Sequence, residues 1–371
     1  MRSRRLAFVL CFLPMISTAA DSVVGQRIFV KEDAEAWVGE VAIDQELIPS
    51  TAVVEEVDGD KLLVGRVWVR RSSVLSLPEA LAFYNDQVRA EPAKASGWQR
   101  RSVVWSIKGD PVAALRDVNE AIRLDPDDPI GYMFRGNILV EKGELENAIS
   151  DFTTALKLNP RALKAHFNRA FALATNGDFD NAISDLTEAI KLDPDDPISR
   201  NARGLVWQSK GDLSKAIEDF TQAIRSDGKY AIAYVNRGSA RIMKGDFETA
   251  INDLEEAIRI DPKAVAAFTN IALVKSTCND DRIRDGKVAV EYSVKACQLT
   301  EWKDWRAVNA LAASYAEAGD FATAIRWQMK VLDIVPPREK RSAMFRLHLY
   351  RANTPCRDLQ KNVANSPIGP A

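Results

Sequence analysis

Gly143, Gly177, Gly211 and Gly245 stand 34 residues apart, and two further series keep the same spacing: Ala148, Ala182, Ala216, Ala250 and Ala155, Ala189, Ala223, Ala257. Prolines at 92, 126, 160, 194 and 262 fall on that period too, with Gly228 at the missing place. A fixed period of this length is the mark of a stacked repeat, in which each unit buries its apolar face only against its neighbours. Two helices and their turns account for one unit. From 129 to 162, Tyr132, Gly136 and Leu139 form one apolar stripe and Lys142-Gly143-Glu144 turns the chain. Ala148, Phe152 and Ala155 form a second stripe, and Asn159-Pro160 stops it. Gly136 and Ala148 are small because the two helix backbones must approach closely there.

Those residues at those spacings resemble the tetratricopeptide repeat, in units starting at 95, 129, 163, 197, 231, 265 and 305. The fold class is therefore mainly α: an αα solenoid of about seven repeats over 95–336, preceded by a small β-barrel. The first unit departs from the pattern with Ser102 and Pro111, the latter tolerable where a second helix begins. The unit at 265 carries five extra residues within TCNDDRIRDGKV, which puts Ala289 in the place expected at 284 and predicts a loop bulging from the stack. Residues 77–94, with Ala80, Tyr84 and Pro92, read as the second helix of a unit without its first, a cap on the solenoid. Residues 337–371 read as a closing helix, with Ala343, Met344, Leu347, Leu349 and Tyr350, and then a loose tail.

Ahead of the repeats the pattern changes. Met1 to Ala20 has a basic head (Arg2, Arg4, Arg5), an apolar run from Leu6 to Ile16 and small residues before Asp21, the form of a secretory signal peptide. Phe8 lies one place late for the twin-arginine route, and Cys11 lacks the small residue a lipoprotein site needs before it, so ordinary export to periplasm or medium is expected. No other stretch approaches the roughly 18 to 20 apolar residues of a membrane span. Residues 22–76 show short β-rich runs broken by Asp58-Gly59-Asp60, a hairpin signal, and suggest four or five strands. The string VEEVDGDKLLVGRVWVRRSSV resembles the C-terminal half of bacterial SH3-like domains. In that reading Trp68 is core, and Trp37 is either core or a ligand platform.

Five units place an arginine sixteen residues before an aspartate: Arg101 and Asp117, Arg135 and Asp151, Arg169 and Asp185, Arg203 and Asp219, Arg237 and Asp253. In the two other units both members turn apolar together, Ile271 with Tyr292 across the insertion and Leu311 with Trp327. Joint replacement is what a contacting pair shows, so each pair is read as a partly buried ion pair between helices. A ladder of anion-binding arginines is disfavoured, since each arginine comes with its own neutralising acid.

No residues propose chemistry. His166 sits where other units carry Tyr132, Tyr234 or Phe268, a core place, and His348 is far away. The two LDPDDP segments lack the alternating acids of a calcium loop and lie where helix stops and N-caps belong. Phosphate-loop, nucleophile-elbow and paired-cysteine zinc motifs are missing from the sequence, so neither cofactor nor metal is expected. Loss of Arg2, Arg4 and Arg5 takes the formal charge from −2 to −5, which gives nucleic acid no basic surface. Cys278, Cys297 and Cys356 remain, an odd number; the first two lie on the order of 18 Å apart along a helix and should not pair. Trp98, Trp105 and Trp207 fall at core places.

What remains is a surface. The resemblance implies that first helices line a concave face, through residues one, four, five and eight places after each unit's start. Here those places hold Phe134, Asn137, Phe167, Asn168, Phe171, Asn201, Leu205, Val235, Asn236, Asn270 and Asn309. Asparagine amides can grip an extended peptide backbone and phenylalanines can supply pockets. The plainer alternative is a solvated face, against which stands the clustering of three rings in adjacent units. Lys164 with Asn168 is only a fragment of the family's carboxylate clamp. The function that follows is a non-catalytic scaffold of the bacterial envelope with a protein or peptide partner; the alternative is a peptidoglycan-associated protein binding through its barrel.

Overall fold

The computed structural model describes residues 27–30, 36–38, 41–42, 51–58, 61–64, 67–70 and 74–357; ahead of Val74 it describes backbone and, of side chains, Phe29. The described residues divide into two compact units, one ending at Ala172 and one beginning at Leu173.

In the first unit, seven strands form one antiparallel sheet: β1 (Arg27–Val30), β2 (Ala36–Val38), β3 (Val41–Ala42), β4 (Thr51–Asp58), β5 (Lys61–Val64), β6 (Val67–Arg70) and β7 (Val74–Leu75). Their order is β3-β2-β6-β5-β4-β1-β7. The hairpin read from the Asp-Gly signal is present, since β4 pairs with β5 and Asp58 lies opposite Lys61. Seven strands exceed the four or five expected because β2, β3 and β7 have two or three residues each, too few to display a period of two. Among the described residues no pairing joins β3 to β7, so closure into a barrel is not shown. Trp37 and Trp68 are opposite each other in the β2–β6 register; their side chains lie outside the described residues.

The sheet reaches the helices through Phe29 of β1 and Leu75 of β7. Phe29 is buried among Ala80, Tyr84 and Val104, which joins β1 to α1 (Leu77–Ala90) and α2 (Ala95–Lys108) in a single apolar cluster. A capping box opens α1: Glu79 Oε2 accepts from the Ser76 backbone N–H at 2.8 Å and from its hydroxyl at 2.7 Å. Helix pairs follow: α3 (Pro111–Leu124), α4 (Pro129–Glu141) with α5 (Leu145–Leu158), and α6 (Leu163–Asn176), which crosses from one unit into the next.

The second unit continues with α7 (Phe179–Leu192), α8 (Pro197–Lys210) and α9 (Leu213–Ser226), α10 (Ala231–Lys244) and α11 (Phe247–Ile260), α12 (Val265–Thr277) and α13 (Gly286–Leu299), α14 (Trp305–Glu317) and α15 (Phe321–Ile334), then a 3-10 turn (Pro337–Glu339) and α16 (Lys340–Arg351). The architecture is an α-helical solenoid of the tetratricopeptide type. Close approach within a pair is enforced by glycine: a Cβ on Gly204 would stand 2.6 Å from the ring of Phe220, and one on Gly136 equally close to Phe152. The turn between α8 and α9 needs a left-handed residue, which Gly211 supplies at φ 95°; Gly109, Gly143, Gly177, Gly245 and Gly319 do the same in other pairs.

Two expectations are corrected. The insertion after α12 does not bulge. Ile283 is 8% exposed and joins a cluster containing Ile271, Val274 and Cys278, while Lys275 O accepts from Asp285 N–H at 2.8 Å. Arg284 donates Nη1 to Cys278 O at 2.8 Å and Nε to Glu317 Oε1 at 3.0 Å, so a buried apolar side chain and a charged one both anchor the loop to the stack. Nor is the start of the tail loose. Cys356 is buried against Tyr350, and Arg357 Nη1 stands 2.5 Å from Glu317 Oε2, an ion pair whose N–H is not aligned as a hydrogen bond.

Candidate peptide-binding face and the arginine clamps

Four of the five arginines grip their aspartates at two points. Arg101 donates Nε to Asp117 Oδ2 at 2.6 Å and Nη2 to Oδ1 at 2.9 Å; Arg135 meets Asp151 with both bonds at 2.7 Å. In the second unit Arg203 and Asp219 (2.8 and 2.7 Å) and Arg237 and Asp253 (2.9 and 2.7 Å) repeat the fork. Arg169 and Asp185 stand in different units. The carboxylates are at most 7% exposed in these four forks. The hydrogen bond to Asp219 raises the Arg203 guanidinium above its ordinary value against the opposing effect of burial, and Asp151 does the same for Arg135.

A third partner escaped the reading of the sequence. Nη1 of each arginine donates to a side chain sixteen residues earlier, on the second helix of the preceding repeat or on α1: Arg101 to Asn85 (3.1 Å), Arg135 to Asn119 (2.9 Å), Arg169 to Thr153 (3.1 Å), Arg203 to Thr187 (3.0 Å), Arg237 to Thr221 (3.1 Å). The guanidinium groups of Arg101, Arg135, Arg203 and Arg237 therefore each tie three helices, and they stitch repeats together as well as helix pairs. The 34-residue spacing of Asn85, Asn119, Thr153, Thr187 and Thr221 was the signal that could have found it. Where the arginine is absent, aromatic contacts take over: Tyr292 packs at 6.0 Å from Phe268, and Trp327 stacks on Trp302 at 4.9 Å.

The first-helix face differs between the units. In the first, Phe134, Phe167 and Phe171 are half-buried, and Phe134 leans on Ala114, Val118 and Ile138. Asn168 Nδ2 donates to Asn137 Oδ1 at 2.9 Å, and Asn137 is exposed. Each amide has two donor hydrogens and two acceptor lone pairs, so one bond leaves capacity for a ligand. In the second unit the expected grips are withdrawn. Asn201, Leu205, Val235 and Asn236 are buried, and Asn236 Nδ2 is committed to Asn201 Oδ1 at 2.9 Å. Half-buried Asn270 donates to Ser239 Oγ, and buried Asn309 accepts from Arg346. These asparagines join neighbouring first helices across repeats, because an amide lodged between two close helices is satisfied only by its counterpart.

The remaining candidates resolve simply. His166 is buried with Nε2 3.0 Å from Pro160 O. Asp128 and Asp196, from the two acidic segments, accept from backbone N–H groups as N-caps of α4 and α8. Among the described residues no group of three or more His, Cys, Asp or Glu could hold a metal ion. Cys278, Cys297 and Cys356 are free and buried, and burial pushes the Cys297 thiol up to about 12. Trp98, Trp105 and Trp207 are half-buried, a correction to core. Each lies under a cation, Arg101 at 4.8 Å, Lys108 at 5.0 Å and Lys215 at 4.1 Å respectively. Trp207 also borders an open hollow of about 530 Å³ with Lys210, Lys215 and Lys244, which no sequence motif announced. Asp212 lies 3.2 Å from Lys215, and Asp180 pairs with Lys210, so these charges are partnered locally.

A profile of the family described as tetratricopeptide repeat matches residues 108–152, 135–197 and 201–265. Residues 108–197 and 201–265 carry tetratricopeptide repeats. No curated protein matches it. Among solved structures, yeast Tom70 is similar at 18% identity and a TM-score of 0.55, over 79% of this chain and 61% of that one. A chain of the APC/C hetero-tetramer Cut9–Hcn1 is similar at 21% identity and a TM-score of 0.51, over 64% of this chain and 46% of that one. The chain thus spans less than two thirds of either. YrrB, a protein of these repeats with an unusual peptide-binding site, is 23% identical over 50% of this chain and 95% of its own, with a TM-score of 0.42. Likeness at these identities is likeness of fold. The repeats make the chain a scaffold-type fold for protein–protein interaction, and no helix of the described residues is long and apolar enough to cross a membrane.

Proposed function

We propose that the chain is an exported, non-catalytic scaffold of the bacterial envelope, and that the first-helix face of its first unit holds an extended peptide. The observation that supports this is the grouping of half-buried Phe134, Phe167 and Phe171 beside the Asn168–Asn137 amide pair. The rings offer partly open apolar surface, and the amides retain donors and acceptors for a peptide backbone. Asn201, Leu205, Val235 and Asn236 are not included, since burial removes them from a ligand's reach. Selection of peptides from a displayed library by the full chain, then titration of a selected peptide against Phe167→Ala/Phe171→Ala, tests the reading; equal affinities reject it. Export rests on Met1 to Ala20, which lie outside the described residues, and mass spectrometry of the stable protein should find a mature terminus near Asp21.

The resemblance of residues 54–74 to SH3-like domains supports a second reading, in which the N-terminal sheet holds peptidoglycan and the repeats space or assemble it. Sedimentation of the full chain with purified cell wall separates the two.

A further inference from the structure

α16, the last helix among the described residues, does not present the outer face of a solenoid cap. A terminal helix ordinarily turns a polar face outward, since nothing stacks on it. On α16 the inner face is apolar as required, with Ala343, Leu347 and Tyr350 buried, and Arg346 turned inward to donate to Asn309 Oδ1 at 2.9 Å. The outer face carries Met344 and Phe345, 52% and 58% exposed. Arg341 stands one turn before them and Arg351 about two turns after, with exposed His348 between, so all five share one stripe about 15 Å long. Lys340 extends the charge at the helix start, where Arg338 is offset by Glu339 at 3.8 Å, and residues 340–351 contain no acid. In a chain of formal charge −2 this is a local concentration of cations around two protruding apolar side chains.

We propose that this stripe docks on an anionic lipid surface. The arrangement is a ridge on a convex helix, with apolar side chains at its centre and cations at both ends. A bilayer accepts such a ridge without a complementary pocket: apolar groups enter the boundary between headgroups and acyl chains while guanidinium and ammonium groups meet lipid phosphates. A folded protein partner would have to supply a pocket for two adjacent side chains and acids at both flanks. The charge pattern therefore selects lipid. The contact is independent of whether the phenylalanine face binds peptide.

The test is co-sedimentation of the full chain with vesicles of phosphatidylcholine alone and of phosphatidylcholine mixed with phosphatidylglycerol. Wild type should partition onto the mixed vesicles and much less onto the neutral ones, and the binding should weaken steeply with salt. Arg341→Gln and Arg351→Gln should each lower the partition coefficient roughly fivefold. Met344→Ser/Phe345→Ser should lower it at least roughly tenfold. All four positions are exposed, and circular dichroism checks that the variants fold. Equal partition onto both vesicle types, absence of binding to either, or variants that bind like wild type would each overturn the proposal. A wild-type dimer that Met344→Ser/Phe345→Ser dissociates in sedimentation velocity would assign the ridge to a second copy of the chain instead.

Discussion

Arg203 grips Asp219 with two parallel hydrogen bonds, 2.8 and 2.7 Å long, and reaches Thr187 Oγ1 on the preceding second helix at 3.0 Å. Thr187 in turn donates its hydroxyl to Ile183 O at 2.7 Å, which leaves the oxygen free to accept from the guanidinium. The fork is planar and fits a carboxylate at two points, so it fixes the crossing of α8 and α9 as well as their separation. Thr221 and Ile217 O repeat the device beneath Arg237.

Arg203→Ala should strand a carboxylate that is only 6% exposed, at a cost of about 3 kcal/mol. Replacing Arg203 and Asp219 together by apolar residues should recover much of that, as the units with Ile271 and Leu311 suggest. Thr187→Val should cost less, about 1 to 2 kcal/mol, by removing the hydroxyl that accepts from Arg203 and donates to Ile183 O. A double-mutant cycle in urea measures the coupling between 203 and 219, and a coupling of zero rejects the pairing.

Gly204→Ala should destabilise by about 1 to 3 kcal/mol, because the new methyl meets the Phe220 ring, which is fully buried. Gly109→Ala makes a contrast: no atom lies within 4 Å of the added Cβ, and the penalty comes from a backbone at φ 83°, about 1 kcal/mol. Urea midpoints of the two variants, with Gly204→Ala/Phe220→Leu as a partial rescue, separate crowding from backbone strain.

The insertion gives a sharper test of packing. Ile283→Ala should cost about 2 kcal/mol or more, since the side chain is 8% exposed within an apolar cluster. A loop that bulged into solvent would tolerate the change within about 0.5 kcal/mol. Thermal unfolding of the variant decides between them.

These cases mark what the sequence could show. Period and pairing were legible because both recur: one glance at Arg203 and Asp219 proves little, but joint loss at Leu311 and Trp327 makes a contact argument. The insertion occurs once, so nothing in the chain signalled that Ile283 folds back. The asparagines misled for a different reason. Asn201 and Asn236 do sit on the first-helix face, but whether an amide faces solvent or its neighbour depends on how closely adjacent repeats stack, which no single-chain pattern encodes. The stripe on α16 was in view as Met344 and Leu347, yet only the helix phase shows that one points out and the other in.

Stability should fall at alkaline pH through buried acids. Burial pushes the Cys297 thiol up to about 12 from an ordinary 9.0, raises Cys278 also, and drives the Tyr350 phenol upward. Below pH 9 these groups are protonated in both states and stability is unaffected. As pH rises past 9, the unfolded chain ionises while the folded one does not, so unfolding releases protons. Each group then removes up to about 1.4 kcal/mol per pH unit until its folded value is reached. Urea midpoints at pH 8, 9 and 10 should decline, and Cys297→Ala should reduce the slope; an unchanged slope refutes the assignment.

The peptide face is tested by the asymmetry between its parts. Buried aromatic side chains at an interface carry a disproportionate share of affinity, so Phe167→Ala and Phe171→Ala should each weaken a selected peptide by about 2 kcal/mol or more. Asn137→Ala should cost about 1 kcal/mol, by removing an exposed amide that contacts peptide backbone. Asn236→Ala should act differently: the residue is buried against Asn201, so it should lower stability while leaving affinity for the peptide unchanged. Lys157→Ala, exposed on the second helix of its repeat, should alter neither, which controls for general attraction by charge. Titration calorimetry reads the affinities and urea unfolding reads the stabilities. A peptide that loses affinity with Asn236→Ala but not with Phe167→Ala would move the binding face to the second unit.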